Sequence, residues 1–261
     1  MRLLAAVLAS SLTVLFAGGC VPRKPPPDLS ADPVELLAQV RGAQAQVARV
    51  QGDVRIRLQK PRRAAFRGFA AAERPDRLRI EALDFFGNPA GVMVASGGRF
   101  ALYDPGAKVL YTGAATPENL SRLVPVPVSA KELVAILLGS APLPEAPPQE
   151  AVADGRHLRL RFAEEGATLD AWIGAHALVE RATRAIGGGK APGSWRVEFS
   201  DPRAHGDAWF PEYFKLRSDA ANVRLELTWT QVEVNGALDP ALFELRPPRG
   251  VRVVDVDMLA E

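Results

Sequence analysis

The side chains able to do chemistry are few: 261 residues contain one cysteine and three histidines. His205 lies in Asp201-Pro202-Arg203-Ala204-His205-Gly206-Asp207, where two acids and a histidine could hold a metal ion or pass a proton. Asp-Pro and Gly-Asp are turn formers, and no second ligand cluster accompanies the segment, so a polar hairpin loop is the expectation. His157 alternates with Leu158 on an outer strand face, and His176 lies in the turn Gly174-Ala175-His176. Gly187-Gly188-Gly189-Lys190 lacks the spacing and the following Ser or Thr of a phosphate-binding loop, which leaves a flexible turn. Spacing alone does not make Glu81 and Asp84 an acid and base pair. We therefore expect no catalytic residue, no metal site and no cofactor. The composition, 48% apolar and 24% charged, is that of a folded protein, and 32 Lys and Arg against 30 Asp and Glu give no electrostatic reason to expect nucleic acid.

The cysteine is Cys20. Arg2 precedes an uncharged run from Leu3 to Ala17, shorter than the roughly 20 residues of a membrane-spanning helix but suited to the apolar core of an export signal. The following Ala17-Gly18-Gly19-Cys20 resembles a bacterial lipobox, which implies cleavage before Cys20, acylation of its sulfur and anchoring without a membrane span. Residues 1–19 would then be a lipoprotein signal peptide. The other reading is an ordinary signal peptide cut near Gly19, which would leave an unpaired thiol in an oxidising compartment, an unusual outcome. Val21 in place of Asp resembles lipoproteins sent to the outer membrane. From there to Ser30, prolines 22, 25, 26 and 27 with Arg23 and Lys24 predict an extended, solvated tether over residues 20–30.

Asp32-Pro33-Val34-Glu35 orders an N-cap, an N1 proline and an N3 acid, predicting a helix to about Arg49. The period then becomes two. Val54/Ile56/Leu58 alternate with polar residues, and apolar residues recur at every second position in Leu78/Ile80/Ala82, Val92/Val94, Phe100/Leu102, Val109/Tyr111, Leu158/Leu160/Phe162, Leu169/Ala171/Ile173, Trp195/Val197/Phe199, Phe214/Leu216 and Leu225/Leu227/Trp229. Turn residues separate these runs, and about eleven short antiparallel strands are implied. Beyond Trp229 the apolar face switches to Val232 and Val234, which suggests a bulge. Between strands, Thr116-Pro117 starts one helix, and Ser129-Ala130-Lys131-Glu132 is a capping box for a second carrying Leu133, Val134, Ile136 and Leu137, stopped at Gly139. So apolar a helix needs the inner face of the sheet, with Ser140 to Glu150 as an exposed return. Residues 31–261 are read as one mainly β domain with helices (α+β).

The order of elements resembles the bacterial lipoprotein-localisation (LolA/LolB) superfamily, with greatest similarity in kind to its outer-membrane receptor. The ending Leu238-Asp239-Pro240-Ala241-Leu242-Phe243-Glu244-Leu245, with Pro247-Pro248 and Gly250-Val251, is similar to the family's C-terminal pattern. Leu83-Asp84-Phe85-Phe86-Gly87-Asn88-Pro89 is placed like the receptor's protruding loop. The resemblance implies a single curved, unclosed antiparallel barrel covered by an N-terminal helix and a helical lid. It also implies a non-enzymatic, monomeric protein on the periplasmic face of the outer membrane, binding acyl chains of lipoproteins or lipids and supplied by a periplasmic LolA-like carrier. Groove and lid would comprise Val54, Ile56, Leu58, Leu78, Ile80, Leu133, Ile136, Leu137, Trp195, Val197, Phe199, Leu225, Leu227 and Trp229, each of which could equally be plain core. Phe85 and Phe86 either form an exposed tip that delivers cargo to the membrane or fold back on the sheet edge; strand alternation favours one in and one out. A structural accessory of an envelope assembly, with the groove filled by its own helices, is the competing class, and a hydrolase the third. Cys20→Ser should abolish acylation; wild-type protein recovered without the mass of acyl chains would refute the lipobox reading.

Overall fold

The computed structural model describes residues 24–60, 63–123, 128–246 and 249–258. The signal peptide and Cys20 lie outside them. Asp32 caps helix α1 (Pro33–Ala45) through hydrogen bonds from Val34 and Glu35 N–H. The helix ends a turn earlier than its sequence predicts, because Val50 already pairs with Ala72 and Val234 in neighbouring strands. Arg74 donates to the carbonyls of Gln44 and Val47, and Asn235 to that of Gln46, which fixes the turn out of the helix. Ahead of it the tether is not wholly solvated: Leu29 packs on the core and Ser30 Oγ donates to Glu35.

Six strands follow in a meander: β1 (Arg49–Lys60), β2 (Ala64–Glu73), β3 (Arg77–Leu83), β4 (Pro89–Ser96), β5 (Arg99–Asp104) and β6 (Val109–Ala114). Helices α2 (Pro117–Leu123) and α3 (Ala130–Leu137) come next. A second meander comprises β7 (Glu150–Asp154), β8 (His157–Glu164), β9 (Ala167–Ile173), β10 (Val179–Ile186), β11 (Trp195–His205), β12 (Ala208–Ser218) and β13 (Val223–Val234), and β14 (Arg252–Asp255) ends the sheet. The strands form one sheet in the order β14-β6-β5-β4-β3-β2-β1-β13-β12-β11-β10-β9-β8-β7. The end strands β14 and β7 do not pair, so the sheet is unclosed.

Fourteen strands replace the expected eleven. The additional ones lack alternation: β2 buries Ala70, Ala71 and Ala72 in succession, β7 and β14 are short, and β10 carries few large apolar residues. The sheet is also mixed, since β14 runs parallel to β6. The expected bulge lies at Thr230, the extra residue between the pairs Asp53–Gln231 and Val54–Trp229. Gly52 belongs to this close approach, as a Cβ there would lie 2.0 Å from the Gln231 carbonyl oxygen.

Strong curvature follows from packing. β5 and β12 stand six spacings apart in the sheet, about 29 Å if it were flat. Yet Leu102 of β5 and Phe214 and Leu216 of β12 line one cavity. The concave face holds the core, into which α3 and α1 also pack. α1 buries Leu36, Leu37 and Val40 and touches β7 and the turn Ala175–Ala177, while α3 lies against β2 and β3. Ser129 and Glu132 form the expected capping box. The return is not wholly exposed, since Ser140, Ala141 and Pro148 are buried. Among the described residues, no helix is long and apolar enough to cross a membrane.

Gly139 sets where α3 docks. Its φ of +73° lies in the left-handed region, and a Cβ would lie 2.5 Å from Pro211 Cδ of β12. Gly139→Ala should therefore destabilise the protein by about 2 kcal/mol or more, from backbone strain and overpacking. Urea unfolding checks this, and a loss below ~0.5 kcal/mol would show that the α3 terminus is not held against β12.

Candidate functional site

The concave face holds a partly open cavity of about 180 Å³ beneath α3. Leu133 and Leu137, one helical turn apart on α3, form its roof. Its walls come from both meanders: Ile56 of β1, Phe66 of β2, Ile80 and Ala82 of β3, Gly91 and Met93 of β4, Leu102 of β5, Phe214 and Leu216 of β12, and Leu225 and Leu227 of β13. None of these side chains is an acid, a base or a nucleophile, so the space selects by shape and apolar area. Larger hollows of about 510 Å³ beside Glu132 and Arg184, and about 670 Å³ beside His205 and Asp207, differ in carrying charged walls.

Of the residues that alternation assigns to groove and lid, Ile56, Ile80, Leu133, Leu137, Leu225 and Leu227 meet at this cavity. Val54, Leu78, Ile136, Trp195, Val197, Phe199 and Trp229 are buried but do not line it; they are core. Leu58 is half-buried and borders a separate basic hollow. In β4 the parity is opposite to the expected one. Met93 faces the cavity, whereas Val92 and Val94 pair with Glu81 and Arg79 on the convex side, where the turn Pro240–Phe243 packs on β3 and β4. Both faces of β4 are apolar, so alternation could not reveal which one faces inward. Phe66 was missed because β2 lacks alternation, and Leu102, Phe214 and Leu216 because an alternating pattern does not show which strands curl toward one another.

The three histidines are tied into the framework. His157 Nε2 lies 3.0 Å from Glu180 Oε2, His205 Nε2 lies 3.2 Å from Glu212 Oε1, and His176 stacks on Trp209 with ring centroids 3.9 Å apart. The segment expected to be a hairpin loop is mostly strand, as β11 runs through His205 and turns only at Gly206-Asp207. Among the described residues, no three metal-ligating side chains come together.

The β3–β4 hairpin projects both its phenylalanines, not one: Phe85 is 97% and Phe86 84% exposed, with ring centroids 5.5 Å apart. Asp84 closes this tip. Its Oδ1 accepts from the N–H groups of Phe86 and Asn88, both at 2.8 Å, and its Oδ2 from Asn88 Nδ2 at 3.2 Å. The backbone adds Asp84 N–H to Asn88 O at 2.8 Å and Gly87 N–H to Asp84 O at 3.1 Å. An apolar pair is thus carried on an ordered turn.

A curved open sheet with a helical insertion crossing an apolar concave face has counterparts among solved structures. A DUF1329 family protein from Desulfovibrio piger superposes with a TM-score of 0.59 at 10% identity, over 82% of this chain and 98% of that one. A LolA superfamily protein from Nitrosomonas europaea gives 0.55 at 9% identity, over 80% and 97%. The fold is LolA-like. A domain described as an outer membrane lipoprotein-sorting protein, from Vibrio parahaemolyticus, gives 0.51 at 9% identity, over 80% and 95%. No protein-family model and no curated protein matches the sequence.

Within this LolA-like sheet, the backbone hydrogen bond from Asn88, followed by those from its side chain and from Phe86 and Gly87, holds the Asp84 carboxyl below the usual carboxylate range. A depressed pKa means that the order contributed by the ionised carboxylate is present above the usual range and is lost as pH falls through the lowered value. In an NMR titration Asp84 should protonate below the usual carboxylate range, with the Phe85 and Phe86 amides gaining mobility at that same pH. Ordinary titration, or a tip already mobile at neutral pH, would show that Asp84 does not order it.

Proposed function

We propose that this chain is a non-enzymatic, lipid-anchored binding protein of the bacterial outer membrane that receives acyl chains of lipoproteins or lipids under α3 and helps pass them to the bilayer. The observation that carries this reading is the cavity, apolar on every side and roofed by one short helix. The LolA-like fold and the lipoprotein-sorting description of a structural counterpart favour lipoprotein cargo. Cys20 is the anchor, the periplasmic face the location, and a soluble LolA-like carrier the source of cargo. The protein acts as a monomer.

The cavity's 180 Å³ is below the roughly 300–1,000 Å³ of ligand pockets, so α3 must move for a long chain to enter. The helix is then a lid. An acyl chain that replaces Leu133 and Leu137 against the sheet buries comparable apolar area, at roughly 25 cal/mol per Å² on either side of the exchange, so opening is balanced by filling. Phe85 and Phe86 act at the membrane, where each phenyl ring is worth roughly 1.5–3 kcal/mol on leaving water.

The small cavity also favours a second reading, an envelope scaffold whose groove is permanently filled by α3. Wild-type protein should carry acyl lipid detectable by mass spectrometry and bind a fluorescent fatty acid. Ala82→Phe, which projects a ring into the cavity, should weaken that binding about tenfold or more while the protein stays folded. Phe85→Glu/Phe86→Glu should leave binding and stability near wild type and impair transfer of a labelled lipoprotein to liposomes. Stable wild-type protein that binds no fatty acid would establish the scaffold reading instead.

A further inference from the structure

On the rim that carries the Phe85–Phe86 tip, the corner between the β1–β2 and β12–β13 turns is basic, in a chain whose net charge is only +2. Strand register places the β1–β2, β3–β4 and β12–β13 turns at one end of the sheet, since Arg67 pairs with Leu83 and Lys60 with Arg224. Across the convex face just inside this rim, cross-strand neighbours alternate in sign: Arg181, Glu198, Lys215, Glu226, Arg57. One step nearer the edge the alternation stops. Arg196, Arg217, Arg224 and Lys60 succeed one another on four adjacent strands with no acid among them. Arg196 reaches back to Glu198 at 2.7 Å, but among the described residues Arg217, Arg224 and Lys60 have no ion-pair partner, and like charges directly opposite one another destabilise a sheet, so stability does not account for these three.

An open hollow of about 650 Å³ lies at the β1–β2 end of that row. Its walls carry the cations Arg57, Lys60, Arg63 and Arg224 and no carboxylate. Among the described residues, none of these four has an ion-pair partner, whereas Glu226, one row in, is already engaged by Gln59 at 2.7 Å and Lys215 at 3.6 Å. Arg55 and Arg67, exposed and directly opposite each other on β1 and β2, extend the charge toward β3, and the Asp84 carboxylate beside the tip is occupied by its own turn. Asp219 lies in the β12–β13 turn, and Glu118 and Glu132 border a separate hollow on the Ala220–Ala221 side of that turn, away from the four cations.

We propose that this rim is a docking face for an anionic bilayer: Phe85 and Phe86 enter the membrane while Arg57, Lys60, Arg63 and Arg224 bind the phosphates of anionic phospholipid headgroups. Charge complementarity selects this partner, because unpaired cations around an open hollow suit phosphate oxygens, and an apolar pair on the same rim suits the region just below them. The inference rests on the reading above that the tip works at a membrane, and it adds the class of lipid recognised. It also sets orientation, with this end of the sheet facing the bilayer.

The test compares the full chain with a Lys60→Gln/Arg63→Gln/Arg224→Gln variant, using vesicles of phosphatidylcholine alone or mixed with phosphatidylglycerol. The N-terminal segment and its anchor are the same in both proteins, so the difference reads the rim. Wild type should prefer the anionic vesicles, and the preference should fall with added salt. Each cation removed should weaken binding to them about fivefold, so the triple variant should lose on the order of a hundredfold, with unchanged binding to neutral vesicles and unchanged thermal stability. Equal affinity of wild type for the two vesicles, or an unaltered preference in the variant, would overturn the proposal; equal loss on both vesicles would assign these residues to the fold. Fatty-acid binding measured on the same samples separates the two ideas, since its absence alongside an intact anionic preference would refute the carrier reading and leave the docking face standing.

Discussion

The pairing of β1 with β13 is the constraint on which the remainder of the structure depends. It joins the meander β1–β6 to the meander β7–β13 along their first and last strands, so β6 and β7 fall toward opposite edges of one sheet. The chain between them has to travel from one edge to the other. Since the sheet curls, the short path lies across its concave side, and the segment making that journey must be apolar where it touches the sheet. α3 meets this requirement with Leu133, Val134, Ile136 and Leu137, all buried. The bulge at Thr230 and the missing side chain at Gly52 let the two backbones approach at one end of this junction.

The same constraint explains why the concave face is covered by a short inserted helix instead of by a second sheet. Strands on both sides of the junction supply the cavity walls, but the roof consists of two leucines on a helix of eight residues. α3 is thus fixed at its C-terminus, where Gly139 packs against Pro211, and by its capping box at the other end. A helix this short adds little stability of its own. Its position reflects the apolar area it buries on the sheet together with these two end contacts.

How much of this is legible in the sequence depends on how local the signal is. The caps at Asp32 and Ser129, the stop at Gly139 and the bulge after Trp229 depend on neighbours within a few residues, and all can be read directly. The strands with one wet face are equally clear. β2 cannot be seen this way because its alanines are buried in succession, and β4 gives the wrong inward face because the Pro240–Phe243 turn covers its outer one. Which apolar residues line the cavity and which are core depends on curvature, a property of the whole sheet. Ile136 and Leu137 are adjacent on one helix, yet only Leu137 reaches the cavity. The basic rim is invisible along the chain, where Lys60 and Arg224 are far apart; only the β1–β13 register makes them neighbours.

An exposed aromatic pair on a mobile loop could be an accident of a loose turn. At the β3–β4 tip that explanation conflicts with the hydrogen bonds, because Asp84 commits both carboxylate oxygens, and the backbone two further bonds, to holding the turn that displays Phe85 and Phe86. Order without burial gives these rings no folding stability, and clustered apolar side chains in water more often mark an interaction site than a packing residue. The rim cations follow the same logic from the opposite chemistry, since their row breaks the sign alternation that stabilises the sheet one step further in. Two features that the packing of the fold does not call for, an exposed apolar pair and a group of cations without ion-pair partners, occupy the same end of the sheet. A surface that is apolar beneath and anionic above accounts for both together, whereas a purely protein partner would have to account for each separately.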